Sequence, residues 1–228
     1  MPNPRPYGYS RFTPEEYDFT EDTGLMVGQT FLDFDLHTLD GTPARLSDYL
    51  RHKPLVLETG SMTCPMYAQS VPPMQALIRK YPQLDHVLLY VREAHPGERQ
   101  PQHARLEGKL GAARTSCARY HEENRPVLVD TLDGAAHQAY GSMPNSVFII
   151  APDGTILFRS LWNNAAEMDM ILGMVARGEA PPSRELKAVP PFSYRGARTL
   201  FYGGVVAIWD FVRGLPRLIA NHRKVGNM

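Results

Sequence analysis

The fold is decided by residues 54–67, which read PLVLETGSMTCPMY. The first seven are short and apolar, which is typical of a buried central strand. Cys64 and Pro65 then open a predicted helix, because proline is well placed in a first helical turn. The sequence therefore places Cys64 at the carboxyl end of a strand and at a helix N-terminus, where open α/β sheets hold their functional sites.

The elements around this segment complete an α/β pattern. An alternating strand begins at Phe31 and stops at the Asp40-Gly41 turn. The other predicted elements are strands over 86–91 and 126–130, helices over 103–120 and 165–178, and a hairpin over 146–160. This order is that of a thioredoxin-like (peroxiredoxin-like) fold, with a central mixed sheet flanked by helices. We predict an arm over 1–23, a domain over 24–178, and a linker with a C-terminal amphipathic helix over 179–228.

Composition limits the function classes. Lysine plus arginine equals aspartate plus glutamate at 24 each, so no overall charge favours nucleic acid as a partner. Two cysteines are too few for a disulfide framework, and neither a signal peptide nor a run of ~18 apolar residues is present in the sequence. We expect a cytoplasmic protein with no metal site and no cofactor.

Cys64 is the candidate nucleophile. Unpaired backbone N–H groups and the positive end of the helix dipole favour thiolate over thiol, so we expect the pKa of Cys64 to lie below about 8.5. The motif Cys64-Pro65-Met66-Tyr67 lacks the second cysteine of a dithiol, which excludes disulfide exchange within it. A buried, unreactive cysteine is the alternative on residue type alone.

Two further residues bear on this site. Cys117 lies 14 residues after His103 along one predicted helix, a rise of about 21 Å. If His103 lies near the sulfur of Cys64, Cys117 does not. We therefore interpret Cys117 as structural. Pro144 precedes a strand at the point where thioredoxin-like folds place a cis-proline facing the active cysteine, and we expect a cis bond there.

Four stretches together resemble the iodothyronine deiodinase family. GSMTCP at 60–65 is similar to the family's active-site loop, with Cys64 in the selenocysteine position, and YVREAHP at 90–96 resembles its Tyr-x-x-Glu-Ala-His-Pro segment. Its next helix and the segment before its final hairpin are similar to PQH at 101–103, LE at 106–107, AAR at 112–114, DTLD at 130–133 and AYG at 139–141. Four motifs in one order over about 45–160 are far more specific than any one of them.

The resemblance implies a role for each matched residue. Cys64 would be the nucleophile, and His103 would donate a proton or a hydrogen bond near the sulfur, since imidazole titrates near neutrality. Glu93 and Tyr90 would complete a proton relay. The remaining assignments are hydroxyls around the thiolate from Ser61 and Thr63, and substrate binding by His95 and Pro144.

Three functions are compatible with this site. In the first, the thiolate removes iodine from a small aromatic substrate, and an external thiol reduces the resulting sulfenyl iodide. In the second, the chain is a one-cysteine peroxidase whose thiolate attacks a peroxide. Ser61 fits a peroxidase motif, but Leu57 and Asn145 stand where we expect its proline and arginine, which favours the first function. The third is a non-catalytic thioredoxin-like binding module.

A second apolar segment lies at 199–220, after a proline-rich linker. From Tyr194 to Met228 there are six basic side chains and one acidic one. A basic helix that carries Trp209 and Phe211 is able to lie in a membrane interface. Apolar faces of this kind more often pack on their own domain or on a second subunit, so both a homodimer and a peripheral membrane contact stay open.

Overall fold

A computed structural model describes residues 7–17, 24–121, 125–188 and 193–225 of the chain. Residues 1–6 and 18–23 of the predicted arm, and 189–192 of the predicted linker, lie outside the described residues. The sheet and the helices around it correspond to the thioredoxin-like architecture that the sequence predicts.

The described residues form one mixed sheet of seven strands in the order β2-β1-β5-β4-β3-β6-β7. β3 pairs in parallel with β4, and β4 with β5, whereas the other neighbours are antiparallel. The strands are β1 (Asp35–Thr38), β2 (Pro43–Arg45), β3 (Leu55–Gly60), β4 (Asp85–Tyr90), β5 (Val127–Val129), β6 (Val147–Ile150) and β7 (Ile156–Ser160).

Helices cover both faces of this sheet. Their bounds are α1 (Pro65–Lys80), α2 (Leu106–Tyr120), α3 (Ala135–Ala139), α4 (Ala165–Ala176), α5 (Tyr194–Gly203) and α6 (Val205–Lys224), with short 3₁₀ helices at Pro14–Glu16 and Leu46–Asp48. Helices α1, α2 and α4 pack on the face that carries Val56 and Leu88, and α3 packs on the face that carries Leu57 and Leu89. Successive strand residues point to opposite faces, so both layers are built from the same strands.

The helix predicted to begin at His103 begins at Leu106 instead. Arg105 is extended, with φ −140° and ψ 147°, and residues 101–103 carry no helical turn. Gln102 explains this, because its side-chain oxygen accepts a hydrogen bond from the Glu93 N–H at 2.8 Å and its amide donates to the Glu93 carbonyl at 3.1 Å. Residues 101–105, called the strap below, are therefore held against the loop that follows β4.

The C-terminal extension is two helices rather than one. Gly204 has a φ of 102°, which favours glycine and ends α5 before α6 begins. The carboxylate of Glu98 accepts the first N–H groups of α6, from Val205 at 2.6 Å and Val206 at 2.9 Å. The 3₁₀ helix at Pro14–Glu16 packs on α6, and α5 packs on α1, so the extension folds onto its own domain.

One face of this extension is exposed. Its large apolar side chains are Phe201, Val205, Trp209 and Val212. None of the helices in the described residues is long and apolar enough to cross a membrane. A homodimer contact or a peripheral membrane contact through this face stays a prediction.

We expect Gly203→Ala to destabilise the fold by about 1–3 kcal/mol, as overpacking does. A Cβ on Gly203 would lie 2.5 Å from the Ala207 Cβ and 2.6 Å from the carbonyl oxygen of His95, so the α5–α6 corner would have to move. Gly108→Ala is the matched control, because a Cβ there meets nothing within 4 Å and adds helix propensity worth about 0.5–1 kcal/mol. Urea unfolding midpoints would check both, and equal shifts in the two variants would contradict the packing.

Candidate active site

Cys64 is the N-cap residue of α1, at the end of the turn that follows β3. Its Sγ accepts a hydrogen bond from the Tyr67 N–H at 3.4 Å, as the placement at a helix N-terminus requires. The residue is only 2% exposed, and this burial raises the pKa of the thiol to about 12 despite the N–H groups, which lower it. The expectation of a lowered pKa was wrong, because desolvation outweighs the helix N-terminus.

Beside Cys64 lies a fully buried carboxyl group, that of Glu93. Its Oε2 accepts two hydrogen bonds from Thr63, from the backbone N–H at 3.0 Å and from the hydroxyl at 2.6 Å. Its Oε1 accepts the hydroxyl proton of Tyr90 and lies 3.2 Å from His103 Nε2. The side chains assigned to the proton relay therefore meet at the carboxyl group of Glu93. That group is bonded to Thr63, the residue before the cysteine.

The orientation of this network follows from its donors. Tyr90 Oη accepts from the Met62 N–H at 3.4 Å, so its own proton is directed at Glu93. His103 Nε2 lies within hydrogen-bond distance of the same carboxyl oxygen, and the tautomer of the ring sets which of the two atoms donates. His103 is bonded to Glu93 and not to the sulfur in the described contacts, and Glu93 is bonded in turn to Thr63, which precedes Cys64 in the chain.

The hydroxyls of Ser61 and Thr63 bind the loop after β4. Ser61 Oγ accepts from the Ala94 N–H at 3.2 Å, and Thr63 Oγ1 accepts from the His95 N–H at 3.1 Å. These bonds hold the cysteine turn against residues 93–95. A direct contact of either hydroxyl with the thiolate stays a prediction.

Pro144 lines the cavity beside Cys64 as expected, but its peptide bond is trans, since the described residues contain no cis peptide. Thr59 at the end of β3 holds this loop. Its hydroxyl donates to the Met143 carbonyl at 2.6 Å and accepts from the Ser146 N–H at 2.8 Å. The cis prediction was wrong, and these bonds to the neighbouring strand hold the loop with a trans bond.

A mostly apolar cavity opens over Cys64. The space inside it that a water-sized molecule can occupy is about 90 Å³, which is below the ~300–1,000 Å³ of small-molecule sites. His95 is one wall, with its ring centroid 4.3 Å from that of Phe12 and 5.4 Å from that of Phe211. The other walls are Tyr17, Pro65, Met66, Ala94, Met143, Pro144, Asn145, Trp162, Leu215, Leu218, Ile219 and His222.

Sequence reasoning missed the residues that cover this cavity. They come from the arm and from α6, and on α6 they recur at 211, 215, 218, 219 and 222. That helical spacing is the signal that identifies a packed face. It does not tell which surface the face packs on, so only the structure assigns these residues to the site.

Arg92 anchors the arm. Its guanidinium carbon lies 5.0 Å from the ring centroid of Tyr7, 4.7 Å from that of Tyr9 and 5.7 Å from that of Tyr17. It also donates to the Tyr7 carbonyl, while the Tyr9 hydroxyl donates to the Ala94 carbonyl at 2.9 Å. These cation–π contacts and hydrogen bonds fix the arm against the loop that carries Glu93.

Cys117 lies in α2, with 8% of its surface exposed. It belongs to the same apolar cluster as Cys64, and both cysteines are free thiols. The separation of about 21 Å along one helix no longer applies, because His103 lies outside α2. A structural role for Cys117 stays a prediction.

The fold and the site define a thioredoxin-like protein with one thiol at a helix N-terminus. The chain is similar in fold to the thioredoxin domain of a thiol-disulfide oxidoreductase of Bacteroides vulgatus, with a TM-score of 0.51 and 12% identity over 68% of this chain and 99% of that one. It is also similar to a putative thiol:disulfide interchange protein DsbE of Chlorobium tepidum, with a TM-score of 0.52 and 22% identity over 67% of this chain and 99% of that one.

The chain belongs to the iodothyronine deiodinase family, whose model matches residues 28–162. It is 32% identical over 126 residues to the thyroxine 5-deiodinase of Ovis aries, a match that covers 49% of this chain and 41% of that protein. The thyroxine 5-deiodinase of Bos taurus is also 32% identical over 126 residues, with 49% and 40% covered. The match thus spans about two-fifths of the length of these relatives.

We expect alkylation of Cys64 to be slow at neutral pH in the folded protein. Its rate should still rise above pH 8.5, because a free thiol has a pKa of about 8.5 and that of Cys64 is higher. A raised pKa leaves little thiolate at neutral pH, and the thiol is buried. Iodoacetamide labelling of a Cys117→Ser variant, followed by mass spectrometry across a pH series, would measure it. A labelling rate that reaches its plateau below pH 8.5 would contradict the raised pKa, and labelling in urea supplies the unhindered reference.

Proposed function

We propose that this chain is a thiol-dependent oxidoreductase that removes iodine from an aromatic substrate through Cys64. The proposal rests on one observation. The thiol of Cys64 lies at a helix N-terminus, and the residue before it, Thr63, is hydrogen-bonded to Glu93. Family membership supports the same chemistry, since the named relatives are thyroxine 5-deiodinases.

In the first step the sulfur of Cys64 forms a bond to iodine and the carbon–iodine bond breaks. The electron pair of that bond stays on the ring carbon, which takes up a proton, while the thiol gives up its own. The products are a sulfenyl iodide and the deiodinated ring, so atoms and charge balance. Iodine passes from carbon to sulfur, the ring is reduced and the sulfur is oxidised.

A relay of protons supports this step. The thiol is protonated at rest because burial raises its pKa, and its proton must leave as the sulfur attacks. Thr63, Glu93 and His103 form a continuous hydrogen-bonded path that starts beside the cysteine. General acid–base groups in such a position contribute roughly 10²–10⁴-fold to a rate.

An external thiol completes the cycle. One thiol attacks Cys64 of the sulfenyl iodide and releases iodide and a proton, which leaves a mixed disulfide. A second thiol then attacks the mixed disulfide and restores the Cys64 thiol. The net reaction consumes two thiols for each iodine removed and yields one external disulfide.

His95 and Pro144 are the proposed substrate contacts. Both line the cavity over Cys64, and burial lowers the pKa of His95 to about 3, so its imidazole is neutral. Its Nδ1 is buried without a hydrogen-bond partner, which suits a hydrogen bond with a substrate hydroxyl. Pro144 supplies an apolar wall.

We expect His103→Ala to lower iodide release by about 10²–10⁴-fold, and His103→Gln to retain part of the rate if hydrogen bonding to Glu93 alone matters. Iodide release from an iodinated phenol with excess dithiothreitol would measure this, with circular dichroism as the folding control. Hydrogen peroxide consumption is measured in parallel. An unchanged rate in His103→Ala removes this residue from the relay, and peroxide consumption without iodide release favours the peroxidase.

Cys117→Ser should keep most of the iodide release in the presence of an external thiol, because that thiol performs the second step. The expected change is less than about threefold, as for a buried position outside the chemistry. Cys64→Ser is the matched comparison and should abolish turnover. Loss of turnover in a folded Cys117→Ser protein would identify Cys117 as a resolving cysteine.

A further inference from the structure

The cavity over Cys64 has two halves of different origin. One half comes from segments inside the family match, at 64–66, 94–95, 143–145 and 162. The other half lies outside that match and consists of Phe12 and Tyr17 from the arm together with five residues of α6. The arm and α6, which complete the lining over Cys64, therefore lie outside the family match.

Charged side chains of the arm and α6 pair with each other. Arg11 binds Asp210 through two hydrogen bonds of 2.6 and 2.5 Å, and Arg217 lies 2.5 Å from Glu15. Arg92 is enclosed by three tyrosine rings. These contacts hold the arm against α6. The charged side chains named here pair with each other or with tyrosine rings, and none of them lines the cavity.

What faces the cavity is neutral. Among the described residues that line it there is no lysine, arginine, aspartate or glutamate. Its polar members are Cys64, Asn145, two histidines whose pKa values are lowered by burial, and Tyr17, whose hydroxyl is 2.7 Å from that of Tyr9. Rings of Phe12, Trp162 and Phe211 supply flat apolar surface.

Resting on the function proposed above, we propose that the arm and α6 shape this cavity for an uncharged halogenated aromatic molecule, such as an iodinated phenol with a neutral substituent, and against a substrate with a charged amino-acid end. A carboxylate or ammonium group placed there would lose its water and meet no countercharge from the described lining, which is unfavourable. A flat, apolar ring loses little by the same transfer and packs on aromatic walls.

The first test compares three ligands that share one ring. They are an ortho-iodinated phenol with a para-propyl chain, the same phenol with a para-propanoate chain, and iodotyrosine. Binding is measured by quenching of Trp162 fluorescence by iodine, in a Cys64→Ser/Trp209→Phe protein that retains one tryptophan and does not turn over. We expect the propyl compound to bind at least about 10-fold more tightly than either charged compound, given the cost of an unpaired charge.

The second test places a charge in the wall. Leu218→Arg, on the cavity side of α6, should weaken binding of the propyl compound and strengthen binding of the propanoate. Val212→Arg is the matched control, because Val212 is 57% exposed and lies outside the lining. It adds the same charge to the same helix and should leave both affinities unchanged.

The outcomes separate this proposal from the proposed function. Iodotyrosine or the propanoate bound as tightly as the propyl compound would overturn the substrate class while leaving dehalogenation in place. Tight, selective binding of the propyl compound without iodide release from Trp209→Phe protein would support the site and overturn the reaction. No quenching of Trp162 by any of the three ligands would overturn the binding site itself. These results come from proteins in which Leu218 is unchanged, so they hold even if Leu218→Arg does not fold.

Discussion

The carboxyl group of Glu93 is the interaction on which the site depends. It is fully buried, and it joins the turn after β3, the end of β4 and the strap before α2 through Thr63, Tyr90 and His103. A buried carboxyl group that lost these donors would pay its desolvation cost unpaired, about 1–3 kcal/mol or more for a charged group. The bonds that satisfy it therefore also fix three segments around Cys64 and supply the protons of the proposed reaction.

Burial has two opposite effects on the reactivity of Cys64. The cover made by the arm and α6 removes water from Cys64 and raises its pKa to about 12, so the resting thiol is protonated and poorly nucleophilic. The same cover creates the apolar cavity that the proposed aromatic substrate would enter. In the proposed reaction, the reactivity of Cys64 would depend on the bound substrate and on proton transfer through Glu93, while burial limits access of oxidants to the thiol.

The elements that depend on local pattern were predicted well. The strand before Cys64, the helix after it, the hairpin over β6 and β7, and α4 lie where the sequence placed them, because alternation, helical periodicity and turn residues act over a few neighbours. His103 differs, since its backbone is held by contacts of Gln102 with Glu93, nine residues away in the chain. The bond before Pro144 differs too, since it is trans in a loop that Thr59 binds from another strand.

By itself the sequence determined the α/β pattern, the single thiol at a helix N-terminus and, through four matched motifs, the residues that meet at Glu93. The tertiary structure alone decided the pKa of Cys64, because burial depends on chain segments that are far apart in sequence. It also decided the cavity, since Phe12 and Phe211 are separated by most of the chain and both contact the ring of His95. Long-range packing carries no short-range pattern, which is why these features required the folded protein.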